Sequence, residues 1–138
     1  MLGLPTKYEP PGGNRMDRDT DLFVQAFWVK CRDVIRPVLD LMIEDVKAAG
    51  HVAHVSTQEY SPVKDDLPDI GPVLTLTVHL HAEPEARTLQ FHGDVAKRDL
   101  EIIGSGVKAH RYDMANLDDA AAKRELTDWI AMLPGRKV

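Results

Sequence analysis

Between residues 17 and 49 apolar side chains return every three or four positions: Phe23, Val24, Phe27, Trp28, Cys31, Val34, Ile35, Val38, Leu39, Leu41, Met42 and Val46. At about 100° per residue they share one arc of about 160°, which is the signature of an amphipathic helix. Acidic residues crowd the first turn, Asp19 or Thr20 can cap it, and Gly50 follows its end. Pro37 falls inside the pattern and has no N–H to donate. The spacing therefore predicts one long helix bent at Pro37, with two separate helices as the alternative. A helix covering one sheet needs a stripe of only about 100°. The excess predicts a second apolar partner for this helix: the N-terminal tail, another subunit, or both.

Alternation with period two follows. Residues 51–60 read as a strand, and 61–71 read as a loop rich in proline and aspartate. In 73–82, Leu74, Leu76, Val78, Leu80 and Ala82 point one way, and Thr75, Thr77, His79 and His81 the other. Residues 88–93 and 99–103 continue the alternation, Gly104-Ser105-Gly106 turns the chain, and 107–114 form a weaker fifth strand. A closing helix, capped by Asn116 or Asp118, carries Ala122, Leu126, Trp129, Ile130 and Leu133 on one face and ends before Pro134-Gly135. Short connections predict an antiparallel meander. The expected fold is an α+β two-layer sandwich: a long N-terminal helix, a four- to five-stranded antiparallel sheet and a C-terminal helix, both helices on one face. Residues 1–16, with three prolines and three glycines, form an irregular tail, and 17–138 a single domain.

Matching apolar faces across neighbouring strands sets a register. Leu80 is expected beside Leu89, and Phe91 beside Leu100. On the polar face this aligns Thr77, His92 and Asp99 in one row and His79, Gln90 and Glu101 in the next.

Charge narrows the function classes. Seventeen Lys and Arg stand against 22 Asp and Glu, a net charge of −5, and basic residues are interspersed with acids. This argues against nucleic acid or an anionic membrane as partner, since both require a basic face. One cysteine precludes an intramolecular disulfide framework and a cysteine-based zinc site. The N-terminus has no basic-then-apolar signal layout, so a cytoplasmic location is expected. No cofactor motif occurs, and no cofactor is expected.

His79, His81, His92, Asp99 and Glu101 are the candidates for ligand or metal binding. Histidines two apart on a strand project together, and imidazole with carboxylate suits zinc and other transition metals. A carboxylate beside a histidine can also orient it for acid–base work. A plain solvated sheet face would carry the same residue types. His51 and His54 fall on opposite faces of their strand, and His110-Arg111-Tyr112-Asp113 reads as a surface strand end. Asp17, Asp19 and Asp21 open like a calcium loop, but Leu22 and Trp28 occupy the positions that need Gly and Glu. Cys31 lies in the apolar arc and reads as a buried thiol.

The order helix, strands, helix is similar to the layout of frataxin-like proteins. The acidic ridge and aromatic-rich sheet of that family have no counterpart here, so the likeness carries over neither residues nor function. The expected function is a small interaction module without catalytic activity, a homodimer joined through Phe23, Phe27, Trp28 and Leu39, with an unidentified protein as the other possible partner. The alternative is a metal or small-ligand site on the polar sheet face. A third reading is an apolar ligand held between sheet and helices.

Overall fold

In a computed structural model, residues 18–62, 70–105 and 107–133 are described, so the expected tail, most of the loop 61–71, Gly106 of the expected turn and Pro134-Gly135 lie outside the described residues. The first helical stretch is continuous but changes pitch. Helix α1 (Arg18–Lys30) runs into a π-helical turn (Cys31–Ile35), and α2 (Arg36–Ala48) continues from it. In the π turn the Arg36 N–H donates to the Cys31 carbonyl, five residues back. Pro37 then sits in the first turn of α2, where a missing N–H costs little. The expected caps Asp19 and Thr20 both lie inside α1 rather than before it.

The π turn holds one more residue than an α turn, so every later side chain is rotated back by about 100°. With that correction the buried residues Thr20, Phe23, Val24, Phe27, Cys31, Ile35, Leu39 and Val46 fall in a stripe of about 100°, the width one core requires. The same rotation carries Leu41 out of the stripe, and it is 72% exposed. Uniform helical phasing had placed it inside.

The chain leaves α2 through a Schellman motif. Gly50, at φ 95°, donates to the Lys47 carbonyl at 2.9 Å, and His51 donates to the Val46 carbonyl at 3.2 Å. Five strands follow: β1 (Val52–Gln58), β2 (Val73–His79), β3 (Arg87–Asp94), β4 (Asp99–Gly104) and β5 (His110–Tyr112). They form one antiparallel sheet in the order of the chain. A 3₁₀ turn (Met114–Asn116) leads to α3 (Asp119–Ala131), whose first turn is capped by the Asp118 carboxylate accepting from the Ala121 N–H at 2.9 Å. The apolar face expected for this helix is buried in full.

One core joins the layers. Leu74, Leu76, Val78, Leu89, Phe91, Leu100 and Ile102 from the sheet meet Phe27, Ile35, Leu39, Leu126 and Ile130 from the helices. α3 packs against α2 and the π turn, and the 3₁₀ turn against α1. Sheet, α3 and the 3₁₀ turn thus all pack against the long helix. Among the described residues no helix is long and apolar enough to cross a membrane.

The register departs from the expected one while the faces stay the same. Leu89 lies opposite Leu76, not Leu80, because β2 ends at His79 and the chain turns away through Leu80 and Ala82 (φ 70°). Phe91 lies opposite Ile102, not Leu100, because Asp94 accepts from the Lys97 N–H at 3.0 Å and closes the turn one residue later. Slips by an even number of residues preserve the buried face, so hydrophobic alternation does not detect them.

The π turn predicts opposite outcomes for two leucines that a uniform helix would bury together. Leu39→Ala is expected to cost about 2–5 kcal/mol in chemical denaturation. Leu41→Ala is expected to stay within about 0.5 kcal/mol of the parent. Comparable losses at both sites would contradict the π-shifted stripe.

Candidate functional site

The structure separates the five polar-face candidates. His92 and Glu101 are direct partners across β3 and β4, and Glu101 faces Arg111 on β5. Asp94 and Asp99 also lie opposite each other. Two like charges so placed repel, and Arg111 bridges them. Its guanidinium lies 2.7 Å from Asp99, 3.2 Å from Asp94 and 3.3 Å from Glu101. Burial pushes the Asp94 carboxyl up, but the Lys97 N–H and Arg111 together outweigh it and hold the group below the usual carboxylate range. These carboxylates thus satisfy an arginine of the same sheet.

His79 is at the other end of β2, its ring stacked on that of His54 with centroids 6.0 Å apart. His81 lies beyond the strand, and its backbone N–H donates to His51 Nδ1 at 2.8 Å. That bond requires an unprotonated Nδ1, so a neutral His51 carries its proton on Nε2. Among the described residues no group of three His, Cys, Asp or Glu is placed to hold a metal ion. The expected interface residues lie inward. Phe27 and Leu39 are fully buried, Phe23 nearly so, and Trp28 is half-buried with its ring edge-on to Phe27 at 4.9 Å. Phe27 and Leu39 belong to the core of this chain, and Trp28 packs against it. Cys31 is buried too, and burial pushes its thiol up to about 12 against a small opposing effect of Arg36. A thiol that stays protonated is a poor nucleophile.

Two cavities open between the sheet and the helices. The larger, about 870 Å³, lies where α2 ends and is floored by Val46, Leu80, Ile130 and Leu133, with Asp45, His51 and His81 at its polar side. The smaller, about 640 Å³, lies between β3, β4 and α3. Its walls are Leu89, Ile102, Val107, Trp129 and Met132, and its polar side is Lys108, His110, Glu125 and Asp128.

This second cavity has the more developed chemistry. His110 and Tyr112, two apart on β5, project toward α3 and share one carboxylate. His110 Nδ1 is 3.0 Å from both oxygens of Glu125, and the Tyr112 hydroxyl donates to Glu125 Oε2. The Glu125 side chain is 12% exposed and that of His110 54%. An ionised carboxylate only accepts, so Nδ1 carries the proton and Nε2 of neutral His110 is left as a free acceptor. Burial, then the Glu125 carboxylate, push the Tyr112 phenol above its ordinary range, with Arg124 pulling the other way. Trp129 forms a wall, and its indole N–H is buried without a hydrogen-bond partner among the described residues. Gly104 permits this approach: a Cβ there would lie 2.8 Å from the Trp129 ring and 2.8 Å from Val107.

Sequence reasoning assigned His110 to a plain strand end because its partner stands fifteen residues away on another element. The available signal was the pair His110 and Tyr112 on one face of β5, with Glu125 flanking the apolar stripe of α3. No family model, curated protein or solved structure matches the chain, so the reading of this site rests on its own geometry.

Two predictions follow from these contacts. Arg111→Ala should lower the melting temperature at pH 7, since Asp94 and Asp99 then face each other unbridged. An aspartate with a depressed folded pKa contributes stability above its ordinary value of about 3.9 and loses it as pH falls further. The gap between parent and variant should therefore narrow in melts taken progressively below about pH 3.9, and a gap unchanged by acid would exclude this role. Gly104→Ala should cost about 1–3 kcal/mol by overpacking and shift the tryptophan emission. Unchanged stability and emission would show that Trp129 does not press on this glycine.

Proposed function

We propose that the protein binds a small amphipathic molecule in the cavity between β3, β4 and α3. The supporting observation is His110, held by both oxygens of Glu125 at the polar side of an apolar cavity. A ligand pocket of this kind is a largely apolar hollow of about 300–1,000 Å³ with a few convergent polar groups that set orientation. Leu89, Ile102 and Trp129 would cover an apolar, flat body. His110 Nε2 would accept a hydrogen bond from a hydroxyl, amine or amide of the ligand, and Lys108 would face any acidic substituent. Glu125 would act as a positioning residue, because it fixes which imidazole nitrogen carries the proton. The Tyr112 hydroxyl, held by the same carboxylate, would keep β5 against α3 and the cavity in shape.

Binding is tested by titrating a panel of hydroxylated and amino-substituted aromatic compounds against the Trp129 emission and the melting temperature. A ligand present at a hundredfold excess over its Kd stabilises the fold by about 2.7 kcal/mol. His110→Ala is expected to abolish the shift for ligands bearing a donor, and Trp129→Leu to weaken all of them. Equal shifts in the parent and in His110→Ala would remove His110 from the site. A panel without any shift would leave the cavity with no support as a binding site.

A further inference from the structure

The sheet has two edges, and they are built differently. β5 has three residues, one of them Arg111, which is engaged with three carboxylates. A short, charged strand is a closed edge. β1 is seven residues long, Val-Ala-His-Val-Ser-Thr-Gln, with no proline and no formally charged side chain. It pairs with β2 along its whole length, so the backbone groups on its other side face away from the sheet. Among the described residues no strand pairs with that other side, and natural sheets rarely leave such an edge open.

We infer that β1 is a self-association edge, and that a second copy of this chain adds its own β1 antiparallel to it about Val55. What favours a second copy is a strand with no formal charge to repel its own image and an exposed valine, Val52, on its open side. Antiparallel pairing about Val55 sets Val52 against Gln58, Ala53 against Thr57, and His54 against Ser56, with Val55 against itself. Every pair joins residues of the same face, so both faces of the sheet continue across the junction. On the helix side Ala53 is buried and Val55 half-buried, while Thr57 is exposed where the cover ends. The pairing brings Val55 onto Val55 and Ala53 beside Thr57, extending apolar contact where this chain runs out of it. On the open side Val52, 60% exposed, gains the stem of Gln58. No two formal charges meet anywhere along the pairing. The association uses neither His110 nor either cavity wall of β3 and β4, so it stands independently of the ligand reading.

The test is the mass of the full chain in solution, by light scattering and sedimentation over a wide concentration range, for the parent and two double variants. His54→Lys with Ser56→Lys puts like charges opposite each other twice across the junction, and a single-chain mass is expected. His54→Glu with Ser56→Lys puts opposite charges there, and a two-chain mass is expected, at least as persistent on dilution as that of the parent. All four substitutions are at exposed positions, and circular dichroism confirms that each variant is folded. A reading that needs no variant comes from amide exchange on the parent: β1 amides should exchange more slowly at high concentration than at low. A parent that stays a single chain at its highest concentration would overturn the inference. So would two double variants of equal mass, or β1 exchange that is independent of concentration.

Discussion

Pro37 imposes the condition to which the rest of the molecule adjusts. A proline in a helix interior removes a hydrogen bond and clashes with the carbonyl four residues back, at a cost of about 3 kcal/mol. The chain avoids this by opening one π turn just ahead of it, so that the Arg36 N–H reaches back to Cys31 and Pro37 falls in the first turn of a new α segment. The rotation that results brings Ile35, Leu39 and Val46 into line with Phe27. A straight α-helix would have splayed these four residues over a wider arc. The sheet could then have covered only some of them, and α3 would have met a different surface on α2.

How far the chain could be read from its residues depends on the kind of information each feature carries. Helices and strands were legible because burial repeats with their own periods, and both the strand sequence and the face of α3 follow from that rule. The width of the first helix's arc misled, because a constant angle per residue was carried through a turn that has another pitch. Leu41 is the residue that exposes the error. Register was legible only to within an even slip: Leu89 finds Leu76 as acceptable a neighbour as Leu80. What displaced it was local backbone chemistry at Ala82 and Asp94, invisible to a hydrophobic pattern.

The candidate chemistry was less legible, for a related reason. Five polar residues shared a predicted face, yet a shared face does not make neighbours. Once the register is set, Arg111 gathers Asp94, Asp99 and Glu101, while His79 stacks with His54 at the far strand. His81 leaves the sheet and turns to His51 beside the larger cavity. The pair with the most directed geometry, His110 and Glu125, joins a three-residue strand to a helix, and only the tertiary fold brings them together. Glu125 thereby belongs to both levels of description: it ties β5 to α3 through Tyr112, and it orients the imidazole at the cavity.

The extra residue in the π turn also bears on how sequences of this fold are to be aligned. A chain with no proline at the position of Pro37 has no need of the wider turn. It can omit one residue from the span Cys31–Ile35 and keep each buried side chain of the long helix facing the same way. Two such chains would differ by a single-residue gap in the middle of a helix, a place where alignment methods penalise gaps heavily. Forced into gapless register, they would pair exposed positions with buried ones from Arg36 onward. Their common architecture would then go unnoticed.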